Sequence, residues 1–256
     1  MKIYSYSKLS TFEQCPFKFK LRYIDKIPPE IEKTIEAHLG KTIHSALEWF
    51  YSQIKENISP SLDQLISFYI KTWNKEFASN TEITNKKFTA KDYFNKGIHF
   101  LANYYLTNKP FEDNTLEVEK EIILHLGEEE QYKIYGYIDR LAYNIKTQEY
   151  EIHDYKTANN LPPKQRLEND KQLPLYSLAI KELVGKDKEV RLIWHFLAHN
   201  KKIHFKKTNE ELEILKKETL NLIKEIEQAT KFSKTQSPLC NWCEYKNACQ
   251  NHQENI

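Results

Sequence analysis

The chain reads as one mixed α/β domain, and three observations carry that reading. Helical spacing of apolar residues fills the first part of the chain and gives way to strand-like alternation in the middle. A helical segment at 171–183 then falls between two strand-like runs, where it can act as the crossover of a parallel pair. The 256 residues are 40% apolar and 29% charged, enough for one sizeable core and too apolar for a disordered chain.

Each element follows from local pattern. Ser7 or Ser10 suits the cap of a short amphipathic helix that Pro16 interrupts, with FKFKLRYI behind it. A longer helical pattern covers 31–55, and another follows Pro60 as SLDQLISFYIKTWNKEF. A further one covers 90–106, where Tyr93, Phe94, Ile98, Leu101, Tyr104 and Tyr105 make an apolar stripe. TLEVEKEIILHL, YKIYGYIDRLAYN and YEIHDYKT are rich in β-branched and aromatic residues. The polar breaks between them, GEEEQ and IKTQE, suit hairpin turns, so the spacing predicts three meandering strands. VRLIWHFLAH and KKIHFKKT predict two more strands after the helix at 171–183, and 208–230 predicts a charged amphipathic helix. The end, SPLCNWCEYKNACQNHQENI, is too short and polar to bury a core and needs a metal or the main body to hold it. Residues 1–110 are thus expected to be mainly helical, 111–207 to form the αβ core and 208–256 to be a helix and cysteine-rich tail of one domain.

Composition excludes several function classes. Lys plus Arg total 38 against 36 Asp plus Glu, a net charge of +2, so there is no strongly basic nucleic-acid coat, although a local basic groove remains open. No apolar run approaches a membrane span and the start, MKIYSYSKLSTFEQ, lacks a hydrophobic signal region; a soluble cytoplasmic protein without membrane partners is expected. GKT at 40–42 is not a phosphate loop, because Ile35 stands where that loop needs glycine.

The segment that carries chemistry is GYID at 136–139 followed by DYK at 154–156. On the strand reading Asp139 ends one strand and Asp154 lies on its hairpin neighbour, with Lys156 on the same face as Asp154. Two carboxylates and an ammonium converging at a sheet edge call for a bridging hard divalent cation, Mg²⁺ or Mn²⁺. Ordinary charges on a solvated strand face are the alternative. The four cysteines, Cys15, Cys240, Cys243 and Cys249, read as a metal site for zinc or an iron–sulfur cluster. A local zinc knuckle of Cys240, Cys243, Cys249 and His252 is the competing arrangement. Lys18, Lys20, Arg22, Lys201, Lys202, Lys206 and Lys207 are candidate contacts to a nucleic-acid backbone, each with a solvated surface role as the alternative.

These segments resemble the PD-(D/E)XK nuclease superfamily, and within it the RecB-like branch that includes CRISPR-associated iron–sulfur nucleases. GKTIHSALE from Gly40, GYID, DYK, QLPLY from Gln172 and SKLSTFEQCPFKF from Ser7 match its motifs in order, across nearly the whole chain. Ile138 replaces the proline of the superfamily name. The resemblance implies a restriction-endonuclease-like core with a central mixed sheet flanked by helices. It also implies a divalent cation on His44, Asp139, Asp154 and the Tyr155 carbonyl, with Lys156 as the catalytic lysine alongside Asp139 and Asp154. Gln172 and Tyr176 would order the site and the DNA backbone. Cys15, Cys240, Cys243 and Cys249 would hold a [4Fe–4S] cluster that staples the tail. The activity implied is a metal-dependent deoxyribonuclease, an exonuclease on single-stranded DNA ends, in recombination, repair or CRISPR adaptation, with helicase or CRISPR integration proteins as partners. A non-catalytic iron–sulfur DNA-binding scaffold of such a complex is the alternative, and a nuclease acting mainly on RNA a third.

Overall fold

The computed structural model describes residues 2–31, 33–78, 80–83, 85–112 and 114–251. It opens with a strand, β1 (Lys2–Ser5), where helix was expected. Ser5 then caps α1 (Tyr6–Gln14) by accepting from the Lys8 amide, displacing Ser7 and Ser10 from that role. Pro16 ends that helix and starts α2 (Pro16–Phe19), which runs into a π-helical turn at Lys20–Ile24. The helices α3 (Ile35–Lys55), α4 (Leu62–Glu76) and α5 (Ala90–Asn108) follow. α3 starts at Ile35, later than the apolar pattern suggested, because Thr34 supplies its cap. α4 and α5 begin with reciprocal capping boxes, Ser61 with Gln64 and Thr89 with Asp92.

The middle of the chain forms β2 (Asn114–Leu126), β3 (Tyr132–Asn144) and β4 (Glu149–Lys156) as the expected meander. The short α6 (Lys164–Glu168) and then α7 (Gln172–Val184) lead to β5 (Val190–Phe196) and β6 (Lys201–Lys206), and α8 (Asn209–Gln228) and α9 (Lys246–Asn251) close the chain. β5 stops at Phe196, short of the expected run, because 197–199 turn as a 3-10 helix that ends on Asn200 in the left-handed region.

The sheet is mixed, in the order β1-β3-β4-β5-β6, with β2 on the other edge of β3. β4 and β5 run parallel and α7 makes the crossover, as its position in sequence implied. One detail of this topology positions the site. β3 pairs along most of its length with β2, but its opposite edge is shared: β1 covers Tyr132–Tyr135 and β4 covers Arg140–Asn144. Residues 136–139 lie in the gap between those two partners. Asp139 is therefore inside β3, not at its end as the sequence suggested, because the hairpin partner β4 splays away before reaching it.

Two apolar layers enclose the sheet. Ile122, Leu124, Ile134, Ile138, Ile152 and Leu192 pack with Leu9 of α1, Ile180 of α7 and Ile223 of α8. Ile43, Leu47 and Phe50 of α3 pack with Tyr69 and Trp73 of α4, Leu101 and Tyr104 of α5, and Tyr155. In the second layer Arg140 is only 2% exposed. Its guanidinium lies 4.0 Å from the Tyr51 ring centre and donates to Thr115 Oγ1 at 3.2 Å and His153 Nδ1 at 2.9 Å. His195 Nε2 is 2.9 Å from the same His153 nitrogen. Burial and the Arg140 charge push both imidazoles well below their ordinary range, so they serve as neutral hydrogen-bonding groups. A third, small cluster of Phe17, Leu21 and Tyr245 holds the cysteine-rich tail against α2. Among the described residues no helix is long and apolar enough to cross a membrane.

Candidate active site

The gap at 136–139 collects polar groups from both faces of the sheet. Asp139 Oδ2 accepts the Tyr155 amide at 2.9 Å, which ties the splayed end of β4 back to β3. His44 enters from α3, with Nε2 donating to the Tyr155 carbonyl at 2.8 Å and Nδ1 3.4 Å from Asp139 Oδ1. Gly40, one turn earlier on α3, would place a Cβ at 3.4 Å from Thr157 Oγ1, so this turn of the helix sits close against the end of β4. From the other side, Lys156 Nζ donates to Asp154 Oδ1 at 2.9 Å, as expected of residues two apart on one strand.

Glu119 completes the cluster. One ligand atom each from His44, Glu119 and Asp139 lie within 4.8 Å of one another. Glu119 has φ of 44°, a left-handed conformation that a non-glycine residue in a strand rarely adopts. On either side of it β2 changes the layer it faces, with Val118 toward the α3 layer and Ile122 toward α7. Sequence reading missed this residue, because within LEVEKE nothing separates Glu119 from Glu117 and Glu121. Asp154 stands outside the tight group, held by Lys156, yet its charge is felt by His44, and it feels the charge of Asp139 in turn.

The electrostatics are those of a cation site. Burial and the charges of Asp139 and Glu48 push the Glu119 carboxyl up to about 7. Burial opposes protonation of His44, but Asp139 and the Tyr155 carbonyl outweigh it and raise the imidazole to about 9. Burial likewise raises Asp154, with Lys156 opposing and Asp139 adding to the rise. Burial works against the Lys156 ammonium, but the Asp154 and Asp139 carboxylates keep it above its ordinary range. Asp154 Oδ2 is buried, 2.7 Å from Lys156 Nζ but without an aligned hydrogen bond. A donor set of imidazole nitrogen, carboxylate oxygens and a carbonyl suits Mg²⁺ or Mn²⁺, and a cation would relieve the mutual repulsion of these carboxylates.

Gln172 and Tyr176 pack beside this gap. Gln172 Nε2 donates to the Tyr176 hydroxyl at 3.4 Å, and a Cβ at position 136 would lie 2.5 Å from that hydroxyl. Gly136 is therefore needed for the close approach of Tyr176 to β3.

Residues 3–250 match the model of the PD-(D/E)XK nuclease superfamily. The chain belongs to that superfamily. As a PD-(D/E)XK nuclease it is a hydrolase of phosphodiester bonds, of a class that uses divalent metal ions. Among solved structures it is similar to a candidate exonuclease from Eubacterium rectale, at 11% identity and a TM-score of 0.55. That match covers 98% of this chain and 90% of the other, and it shows a shared fold. It also matches a protein designated SSO0001, at 12% identity and a TM-score of 0.45 over 97% of this chain and 86% of that one. No curated protein matches the chain in sequence.

Away from this nuclease site, Cys15, Cys240, Cys243 and Cys249 line a single cavity of about 590 Å³ between the start of α2 and the tail. All four are free thiols. Backbone amides point at three of them: Lys18 and Thr235 at Cys15 Sγ, at 3.4 and 3.5 Å, Ser237 at Cys240 Sγ, at 3.4 Å, and Tyr245 at Cys243. His252, the fourth ligand of the zinc-knuckle arrangement, lies outside the described residues. Several of the candidate backbone-contact cations are engaged within the chain. Lys18 and Arg22 pair with Glu244, Lys20 with Asp25, Lys206 with Glu149 and Lys207 with Glu211. Their first role is to hold the tail, the turn after α2 and the late hairpin.

Proposed function

We propose that this nuclease cleaves DNA, acting as an exonuclease on single-stranded ends, with one divalent cation held by His44, Asp139, Asp154 and the Tyr155 carbonyl. The observation that carries the reading is the convergence of His44, Glu119 and Asp139 within 4.8 Å beside the Asp154–Lys156 pair, at the one stretch of β3 that neither β1 nor β4 covers. Glu119 joins the set as a ligand or as the acceptor that orients one. When bound, the cation supplies Lewis-acid polarisation of the scissile phosphate and lowers the pKa of the attacking water. Lys156 keeps its proton because Asp154 and Asp139 flank it, so it offers positive charge where the transition state gathers negative charge. Asp139, fixed by the Tyr155 amide, and His44, fixed by the Tyr155 carbonyl, hold their donor atoms before substrate arrives. Gln172 and Tyr176 wall the cleft and order the strand that enters it.

The cysteines hold a [4Fe–4S] cluster on this reading, in keeping with the RecB-like motif order. All four cysteines line one cavity, which lets a single centre gather them. The test is Mn²⁺- or Mg²⁺-dependent digestion of end-labelled single-stranded DNA and RNA. Asp154→Asn and Lys156→Ala should each lower it by on the order of a hundredfold or more with unchanged circular dichroism. Full digestion by both variants would overturn the assignment.

A further inference from the structure

The sheet face beside the gap is open, and it carries aromatic residues. On β3, Ile134 and Ile138 point into the α7-side core, so Tyr135 and Tyr137 project from the opposite face, the side from which His44 enters. On β2, Ile122, Leu124 and Leu126 point inward, and Glu121, Ile123 and His125 share the face of the tyrosines. The register sets Tyr135 opposite Ile123 and Tyr137 opposite Glu121, with Ile3 of β1 beside Lys133 at the far end. Tyr137 is 47% exposed, Ile123 38% and Ile3 63%. Aromatic and β-branched residues on a strand ordinarily mark a face that something covers. α3 reaches these two strands at Glu119 and Asp139 through His44, and the tyrosines lie beyond that point on β3.

What covers the rest is indicated by its continuity with the active site. Tyr137 and Tyr135 stand two and four residues before Asp139, so their rings start about 7 and about 14 Å from the catalytic acid along β3. The rings are held as a pair, 5.3 Å apart and edge to face. Their hydroxyls are hydrogen-bonded to each other, and Tyr135 donates to Glu121 at 3.2 Å. The edge of one ring covers one face of the other, and the faces turned away from that contact are the ones offered for stacking. The Glu121 carboxylate repels a phosphate backbone and so favours bases, not phosphates, over the rings. Aromatic side chains on an open sheet face stack two or three unpaired bases in other single-strand binders. We propose that Tyr135 and Tyr137 form a stacking platform for the unpaired bases of the strand whose phosphate enters the gap at Asp139. The platform is therefore a determinant of single-strand preference.

The inference rests on the nuclease reading of the gap, and the test separates the two. Binding of a fluorescein-labelled DNA single strand to the full-length protein is followed by anisotropy in EDTA, where nothing is cut and the metal site does not contribute. Tyr137→Ala should weaken binding about tenfold, and Tyr135→Ala with Tyr137→Ala about a hundredfold, while Tyr137→Phe keeps wild-type affinity. Duplex binding should not change. A strand with abasic positions should bind wild type weakly and should bind the double variant no worse than an intact strand does. That arm needs no folded variant to show its first half. Cleavage of a saturating, fully abasic single strand in Mn²⁺, which has no aromatic ring to stack, should be the same in wild type and the tyrosine variants. Wild-type single-strand affinity in the double variant, or equal loss for duplex and single strand, overturns the platform and leaves the metal site untouched. Asp154-independent digestion would overturn the metal site and leave the binding result standing.

Discussion

The gap in β3 and the cysteine cavity are the two places where a metal centre is proposed, and the chain prepares them differently. At the gap, α3, β2, β3 and β4 each contribute a side chain, and each of those elements is fixed by a core or by sheet register. The polar groups there already hold one another: Asp139 with the Tyr155 amide, His44 with its carbonyl, Asp154 with Lys156. The cysteine cavity has far less behind it. Its tail rests on a small buried cluster of Phe17, Leu21 and Tyr245, on the ion pairs of Lys18 and Arg22 with Glu244 and on amide bonds to Glu30, and Cys240 is exposed. The first region is preorganised without its ion, so losing the ion costs chemistry. On the proposed cluster reading, the second depends on what its thiols hold, so losing that group would cost structure.

The sharpest way to break this contrast is at the gap. Asp154→Asn and Lys156→Ala should each lower DNA digestion by on the order of a hundred- to a thousandfold, with the far-ultraviolet spectrum unchanged. The cysteine cavity should behave the other way. Cys15→Ser or Cys249→Ser should lower the melting temperature and expose the tail from Lys234 onward to protease, while digestion per folded molecule at low temperature persists. If these variants melt like wild type, the apolar cluster alone holds the tail and the contrast fails.

Smaller effects sharpen the picture of the gap. Glu119→Gln should weaken Mn²⁺ binding by about 10- to 100-fold in calorimetry, with the fold unchanged. Gly136→Ala forces a Cβ against the Tyr176 hydroxyl and should cost about 1–3 kcal/mol in chemical denaturation. The metal-free protein should also show a pH slope in EDTA. His44 is raised to about 9 and Glu119 to about 7 in the folded chain, both above their unfolded values. Each therefore adds stability at low pH that disappears as pH rises, for Glu119 between about 4.5 and 7 and for His44 between about 6.5 and 9. The melting temperature of the metal-free protein should fall across those windows, and His44→Gln should flatten the upper one. Cation binding must displace the same protons, so Mn²⁺ affinity should rise over that range.

Much of this was legible in the sequence. The meander of β2, β3 and β4, the crossover helix α7 and the pairing of Asp154 with Lys156 all follow from local periodicity. The strand β1 was not, since four residues beside a helix carry too little pattern to outweigh their neighbours. Asp139 was found by its motif, but its place inside β3 was not, because that place is set by where two other strands stop. Glu119 had no signal at all, as one of three glutamates in an alternating strand.

The residues alone determined which groups this protein can bring to a cation and the thiols it can offer to a second centre, because side-chain chemistry and strand and helix periods are local properties. Only the tertiary structure decided where those groups meet. The gap exists because β1 and β4 share one edge of β3 and leave 136–139 uncovered. A contact between strands far apart in sequence leaves no mark in the spacing of any one of them.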